Sequence, residues 1–204
     1  MHIPGFETRT VEVAPGVALR AETAGDGPTV VLLHGFPQTR HMWRHVAPDL
    51  ARDHRVVVPD LRGYGDSAKP AATTPEAMIR NSADAFFGSF LDAWTQDPAA
   101  IPADVRAHYL AASRDAVDSI VADYRATATV DVEHDQASLD AGDRLAMPVT
   151  VVQQDWGAQL GYDAAGVWRR WAPDLEHLTT TAGHFMAEEA PADVAAVVRA
   201  LGRR

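Results

Sequence analysis

His184 is the histidine best placed for chemistry among the nine in this 204-residue chain. It follows a predicted strand, 175–181, and two small residues, Ala182 and Gly183. There an imidazole can lean over a sheet edge and serve as a general base; a surface-loop histidine is the plain alternative. His34-Gly35-Phe36-Pro37 sits where an apolar run ends. A glycine at that point lets the backbone turn sharply, so that the next N–H can point into a site; the alternative is an ordinary strand-to-loop turn. His41 and His45 are four apart on a predicted helix, which is metal-ligand spacing, but Met42 stands where a zinc-protease motif has glutamate and no third ligand is placed. No metal site is therefore expected. Asp131, Glu133, His134 and Asp135 form an acidic knot that reads either as a cation site or as a solvated turn.

These groups need a scaffold, and the hydrophobic pattern supplies one. Residues 7–22 alternate apolar and polar around Pro15-Gly16, which predicts a β-hairpin. Thr29 to Leu33 is a continuous apolar run of the kind that suits a strand buried on both faces. Thr39 can cap a helix carrying Met42, Val46 and Leu50, and Arg55 to Asp60 is a second short buried strand ending at Gly63-Tyr64-Gly65. Strand, helix, strand predicts an α/β domain with a parallel sheet. From Pro75 to about Gly142 no buried strand is predicted. Helices there carry Phe86 to Trp94 behind a Ser82 cap, Val105 to Leu110 after Pro102, and Val117 to Tyr124. A strand over 148–153, a helix around Trp168, the strand before His184 and a final helix through Leu201 restore the α/β pattern.

Composition narrows the classes. The formal charge is −10, and 18 basic residues face 28 acidic ones, without a basic cluster. Nucleic acid and anionic membranes are poor partners for such a surface. Cysteine is absent, which excludes disulfides, thiolate nucleophiles and cysteine-based metal centres. Only Lys69 among the basic residues is lysine, the composition of a GC-rich bacterial genome. The first residues lack a basic segment followed by an apolar one, and no run reaches the ~18 residues of a membrane helix. A cytoplasmic protein without a cofactor is the expectation.

The stretch His34-Gly35-Phe36-Pro37-Gln38-Thr39, then Trp43, then Pro59-Asp60-Leu61-Arg62-Gly63-Tyr64-Gly65-Asp66-Ser67, resembles the α/β-hydrolase family, in its haloacetate dehalogenase and epoxide hydrolase branch. Gly183-His184-Phe185 with Glu188-Glu189-Ala190-Pro191 is similar to the family's catalytic-histidine loop and final helix, and Asp123-Tyr124-Arg125 to the branch's helical cap. The resemblance implies a truncated α/β-hydrolase fold, a partial and mostly parallel sheet with an N-terminal hairpin. Residues 1–74 and 143–204 would form the two parts of the core, and 75–142 the cap. It implies His184 as general base, the oxyanion hole at His34, Gly35 and Phe36, and a small-molecule substrate or ligand. Tyr124 either packs in the core or, by resemblance, turns its hydroxyl to a leaving halide or a substrate carboxylate.

The family's nucleophile elbow, Gly-x-Asp-x-Gly or Gly-x-Ser-x-Gly, is not found. Gly161-Tyr162-Asp163-Ala164-Ala165 has a similar outline but no buried strand before it, and Asp163 reads better as a helix cap. The gap falls after Lys69-Pro70, where at ~30 residues per strand–helix–strand unit roughly 60 to 90 residues are absent. Leu160 stands where many relatives carry the catalytic acid after Trp156-Gly157, leaving Asp155 and Asp163 as weak substitutes. The functional expectation is a haloacid- or epoxide-type hydrolase working through an alkyl-enzyme ester, impaired by the loss of nucleophile and acid. The alternative is a non-catalytic remnant or a small-molecule-binding pseudo-enzyme. Two structural expectations follow. Apolar strands deprived of neighbours should drive self-association. The strands at 29–33 and 149–153 should close up into direct neighbours, the competing outcome being an open cleft between the two halves.

Overall fold

The computed structural model describes residues 1–69, 76–154 and 162–204. Strands β1 (Glu7–Ala14) and β2 (Val17–Ala24) form the expected antiparallel hairpin, turned at Gly16 with a left-handed φ of 72°. Strand β3 (Thr29–Val31) lies parallel to β4 (Arg55–Pro59), and β4 runs antiparallel to β2 on its other side. The order of this first sheet is β1-β2-β4-β3. Between β3 and β4 the predicted helix is split. Arg40–His45 is a 3-10 segment whose first turn is capped by the Thr39 hydroxyl, which accepts from the His41 N–H at 3.4 Å. A short α1 (Ala47–Leu50) follows, with Pro48 in its first turn.

The helical middle of the chain comprises α2 (Glu76–Arg80), α3 (Ala83–Trp94), α4 (Ala103–Asp115), α5 (Val117–Thr127) and α6 (Val130–Ala141). The acidic knot at 131–135, read from sequence as a turn or cation site, lies inside α6 with its side chains in solvent. Strands β5 (Val149–Gln154) and β6 (Leu175–Thr180) are parallel and flank α7 (Ala164–Arg169). The chain then runs through α8 (Met186–Glu189) and α9 (Pro191–Leu201).

The two sheets do not join. Among the described residues β5 pairs only with β6, and no ladder links it to β3, so the expected closure does not occur. The reason lies in the helical layer. On α9, Ala195 is buried, and Val194 and Val198 pack on the core of Ile3, Val46, Leu50, Val56 and Val58. Arg199 holds Asp49 at 2.8 Å and Asp53 at 3.1 Å. Val194 and Val197 also line a small cavity of about 140 Å3 against Val152, Leu178 and Met186 beneath the second sheet. One helix therefore sets where both sheets stand. β3 is the edge strand of its sheet among the described residues, and one of its faces opens to solvent, with Val31 54% and Leu33 56% exposed. The same exposure corrects the reading of 29–33 as a strand buried on both faces.

An open apolar edge recruits further chains. The protein should associate reversibly with rising concentration in sedimentation or light scattering. Val31→Lys should shift it toward monomer while moving stability by no more than about 0.5 kcal/mol, as for a surface site. A wild-type protein that stays monomeric at all concentrations contradicts this.

Candidate functional site

His34 ends the β3 segment and is buried. Its Nε2 accepts from the Leu61 N–H at 3.0 Å, and its ring meets Tyr64 edge-on at 5.3 Å. Burial, the largest influence, holds its pKa below the ordinary value. His34 thus ties the end of β3 to the end of β4, with both ring nitrogens engaged by backbone groups of Gly35 and Leu61. The β4 end is fixed by buried charge. Asp60 accepts from the Arg40 backbone N–H at 2.8 Å and from the Asp66 N–H at 2.9 Å, and it pairs with the Arg40 guanidinium. Arg40 also holds Glu22 at 3.2 Å and Asp66 at 2.8 Å. A carboxylate closing an apolar strand was the sequence signal for this network, which sequence reasoning missed.

Gly35 and Phe36 follow. Gly35 has no positive φ, and a Cβ there would meet nothing within 4 Å, so this turn does not itself demand glycine. The Phe36 N–H has no acceptor among the described residues. Its ring is enclosed by aromatic side chains of the helical segment: Phe90 at 5.3 Å, Phe87 at 5.8 Å, Trp94 at 6.4 Å and Tyr124 at 5.3 Å. Tyr124 is 52% exposed and is therefore not a core residue. Its hydroxyl has no partner among the described residues, and its pKa is raised by partial burial and by neighbouring Asp123.

Trp94 connects this cluster to His184. The two rings lie 4.7 Å apart, and the His184 N–H donates to the Trp94 carbonyl at 2.9 Å. Packing against Trp94 and Phe185 lowers the His184 pKa, with Glu189 acting weakly in the other direction. Among the described residues no carboxylate hydrogen-bonds the His184 ring; Glu189 spends its Oε2 on the N–H groups of Gln96 and Asp97, at 3.0 Å each. Asp163 caps α7, accepting from the Gly166 N–H at 2.9 Å, as its helix-cap reading had it. Asp155 lies outside the described residues. A nucleophile strand and elbow cannot be accommodated between Lys69 and Glu76. Residues 70–75 separate them, and a strand–helix–strand unit needs ~30.

The floor of the site rests on a second buried carboxylate that sequence reasoning did not single out. Glu188, on α8, is 5% exposed. It accepts from the Tyr109 hydroxyl of α4 and from the Gln38 amide at 3.4 Å, and it pairs with Arg44. Burial raises its pKa against the opposing pull of Tyr109 and Arg44. This one group connects the His184 loop, the loop after β3 and the helical segment. Nearby, Ser113 donates to the Pro37 carbonyl at 3.2 Å, and Thr39 bonds His108 at 3.1 Å. His41 and His45, paired by spacing, are separated by the fold. His41 is buried with its ring 5.5 Å from His108, while His45 is exposed. Among the described residues no three His, Cys, Asp or Glu side chains converge on one point.

Comparison with known proteins agrees with this architecture. Residues 28–101 match the family model described as the alpha/beta hydrolase fold. The chain is 51% identical over 73 residues to a fluoroacetate dehalogenase of Burkholderia sp, which covers 36% of this chain and 24% of that protein. It is 53% identical over 55 residues to a soluble epoxide hydrolase of Corynebacterium sp, covering 27% and 19%. The chain thus spans about a quarter or less of the length of these curated relatives. In fold it superposes on a Nostoc sp PCC 7120 protein described as an alpha/beta hydrolase, with a TM-score of 0.90 at 23% identity, covering 98% and 99% of the two chains. A Pseudomonas aeruginosa protein described as an epoxide hydrolase matches at TM-score 0.88 and 24% identity, covering 98% and 96%. The chain has the α/β-hydrolase fold, and over its N-terminal part its sequence is similar to dehalogenase and epoxide hydrolase relatives.

Two outcomes test the supports of the site. Glu188→Ala strands the buried Arg44 guanidinium without its counter-charge and should cost about 3–5 kcal/mol, whereas Tyr109→Phe should cost about 1–3 kcal/mol, both read as urea midpoints. Burial, then Arg44 and His108, hold the His41 pKa at about 4, from an ordinary 6.5. Between those values the unfolded chain binds a proton at this residue that the folded one refuses. Stability should therefore fall as pH drops from 6.5 to 4. His41→Phe should make that slope shallower; an unchanged slope would show that His41 is protonated in the fold.

Proposed function

We propose that this chain is a haloacid- or epoxide-hydrolase-type α/β-hydrolase that keeps the family's ligand-recognition groups and lacks its covalent chemistry. The observation carrying this reading is the line of rings from Tyr124 through Phe36 and Trp94 to His184, in which, among the described residues, no carboxylate hydrogen-bonds the His184 ring and Glu189 gives its Oε2 to the Gln96 and Asp97 N–H groups. In this reading residues 1–74 and 143–204 are two parts of one core, and 75–142 are its cap. The Phe36 N–H, with Gly35 and His34 supporting it, supplies the oxyanion-hole donor. Tyr124 offers a hydroxyl to a leaving halide or a carboxylate, and His184 is the base that would activate water. An alkyl-enzyme ester needs an aspartate whose oxygen displaces halide or opens an epoxide, and only then can His184 draw a proton from the hydrolysing water. Without that aspartate the first bond does not form.

The ligand is a small molecule, and the proposed compartment is the cytoplasm; no helix among the described residues is long and apolar enough to cross a membrane. The competing reading, an active hydrolase with Asp155 or Asp163 in a catalytic role, is disfavoured for Asp163 because its carboxylate is spent on capping α7.

Incubation with fluoroacetate or chloroacetate, styrene oxide and a p-nitrophenyl ester decides the matter. Turnover should equal background for all three, and His184→Ala should leave it unchanged. Turnover abolished by that substitution, or an intact mass increased by one alkyl group, would overturn the proposal.

A further inference from the structure

A second pocket lies apart from the Phe36–His184 site and shares no residue with it. It has a volume of about 320 Å3 and is lined by Asp135 of α6, Leu145, and Tyr162, Val167, Trp168 and Trp171 around α7. That volume falls in the range of small-molecule sites. Three of the six lining side chains are aromatic and one is charged. Tyr162 is 48% and Trp168 38% exposed, so folding leaves large aromatic surfaces in contact with water. The frame around them is held in place. The Leu145 N–H donates to the Trp171 carbonyl at 2.8 Å, and Asp163 caps α7 between Tyr162 and Trp168.

The charge at this pocket has one sign. The Asp135 carboxylate has no ion-pair or hydrogen-bond partner among the described residues. Its helix also carries Asp131, Glu133 and Asp140 and contains no lysine or arginine. Arg169 and Arg170 adjoin Trp168 in sequence but do not line the pocket. An anion would meet an unpaired carboxylate there. A neutral apolar guest would desolvate that carboxylate without compensation. A metal ion would find one oxygen ligand where six or more are wanted. The remaining chemistry is a cation with an apolar exterior, which aromatic faces attract through their quadrupoles while a carboxylate supplies the counter-charge.

We propose that this pocket binds a small organic cation of the quaternary or methylated ammonium class, recognised by Tyr162, Trp168 and Trp171 and by the Asp135 carboxylate.

The test uses the full chain and tetramethylammonium chloride, with sodium chloride at matched ionic strength as reference and tert-butanol as the neutral isostere. Tryptophan fluorescence should change saturably with tetramethylammonium and not with the other two. Asp135→Asn, at an exposed position, should weaken binding about tenfold, and Trp168→Ala should abolish it, consistent with the size of cation–π and ion-pair contributions. Should Trp168→Ala fail to fold, Asp135→Asn decides alone. Absence of saturation, equal binding of tert-butanol, or wild-type affinity in Asp135→Asn would overturn the proposal.

Discussion

The structure depends on a helix doing what a sheet does elsewhere. β3 and β5 share no ladder, so nothing in the strands themselves sets the distance between the two sheets. α9 sets it, by burying Ala195 and packing Val194 and Val198 on the N-terminal core while Val197 faces the second sheet. Apolar burial is non-directional and would tolerate sliding. The carboxylate of Glu188 removes that freedom, because Tyr109, Gln38 and Arg44 converge on it from separate parts of the chain. Hydrogen bonds and a buried ion pair are directional, and breaking one leaves a desolvated charge behind.

The site inherits its geometry from this arrangement. The His184 loop reaches Trp94 because Phe185 packs with Leu91, Val105 and Tyr109, one turn from the Glu188 anchor. The Phe36 loop reaches the same tryptophan because His34 and the Asp60–Arg40 network pin the ends of β3 and β4 together. Two loops from opposite ends of the chain thus meet an aromatic wall contributed by α3 and α5. Phe36, Tyr124 and His184 are thereby brought along one aromatic cluster.

Sequence alone determined the strands, the helical segment between them and the absence of an elbow. Each rests on local order: alternation around Pro15-Gly16, an apolar run before His34, helical stripes through Val117 and Tyr124, and too few residues between Lys69 and Glu76 to build a strand–helix–strand unit. It placed His184 and Phe36 as candidates for the same local reason, their position at strand ends. What it could not contain was the partnership of residues far apart in the chain. Glu188 reads as one of two adjacent glutamates, and only packing shows that it is buried under Tyr109 from 79 positions away. Tyr124 reads either as a core residue on a stripe or as a hydroxyl facing a ligand, and only the fold shows it half-exposed against Phe36. The failure of β3 and β5 to close was likewise a tertiary outcome. It followed from how α9 packs on the N-terminal core and against the second sheet, which no local pattern in 29–33 or 149–153 encodes.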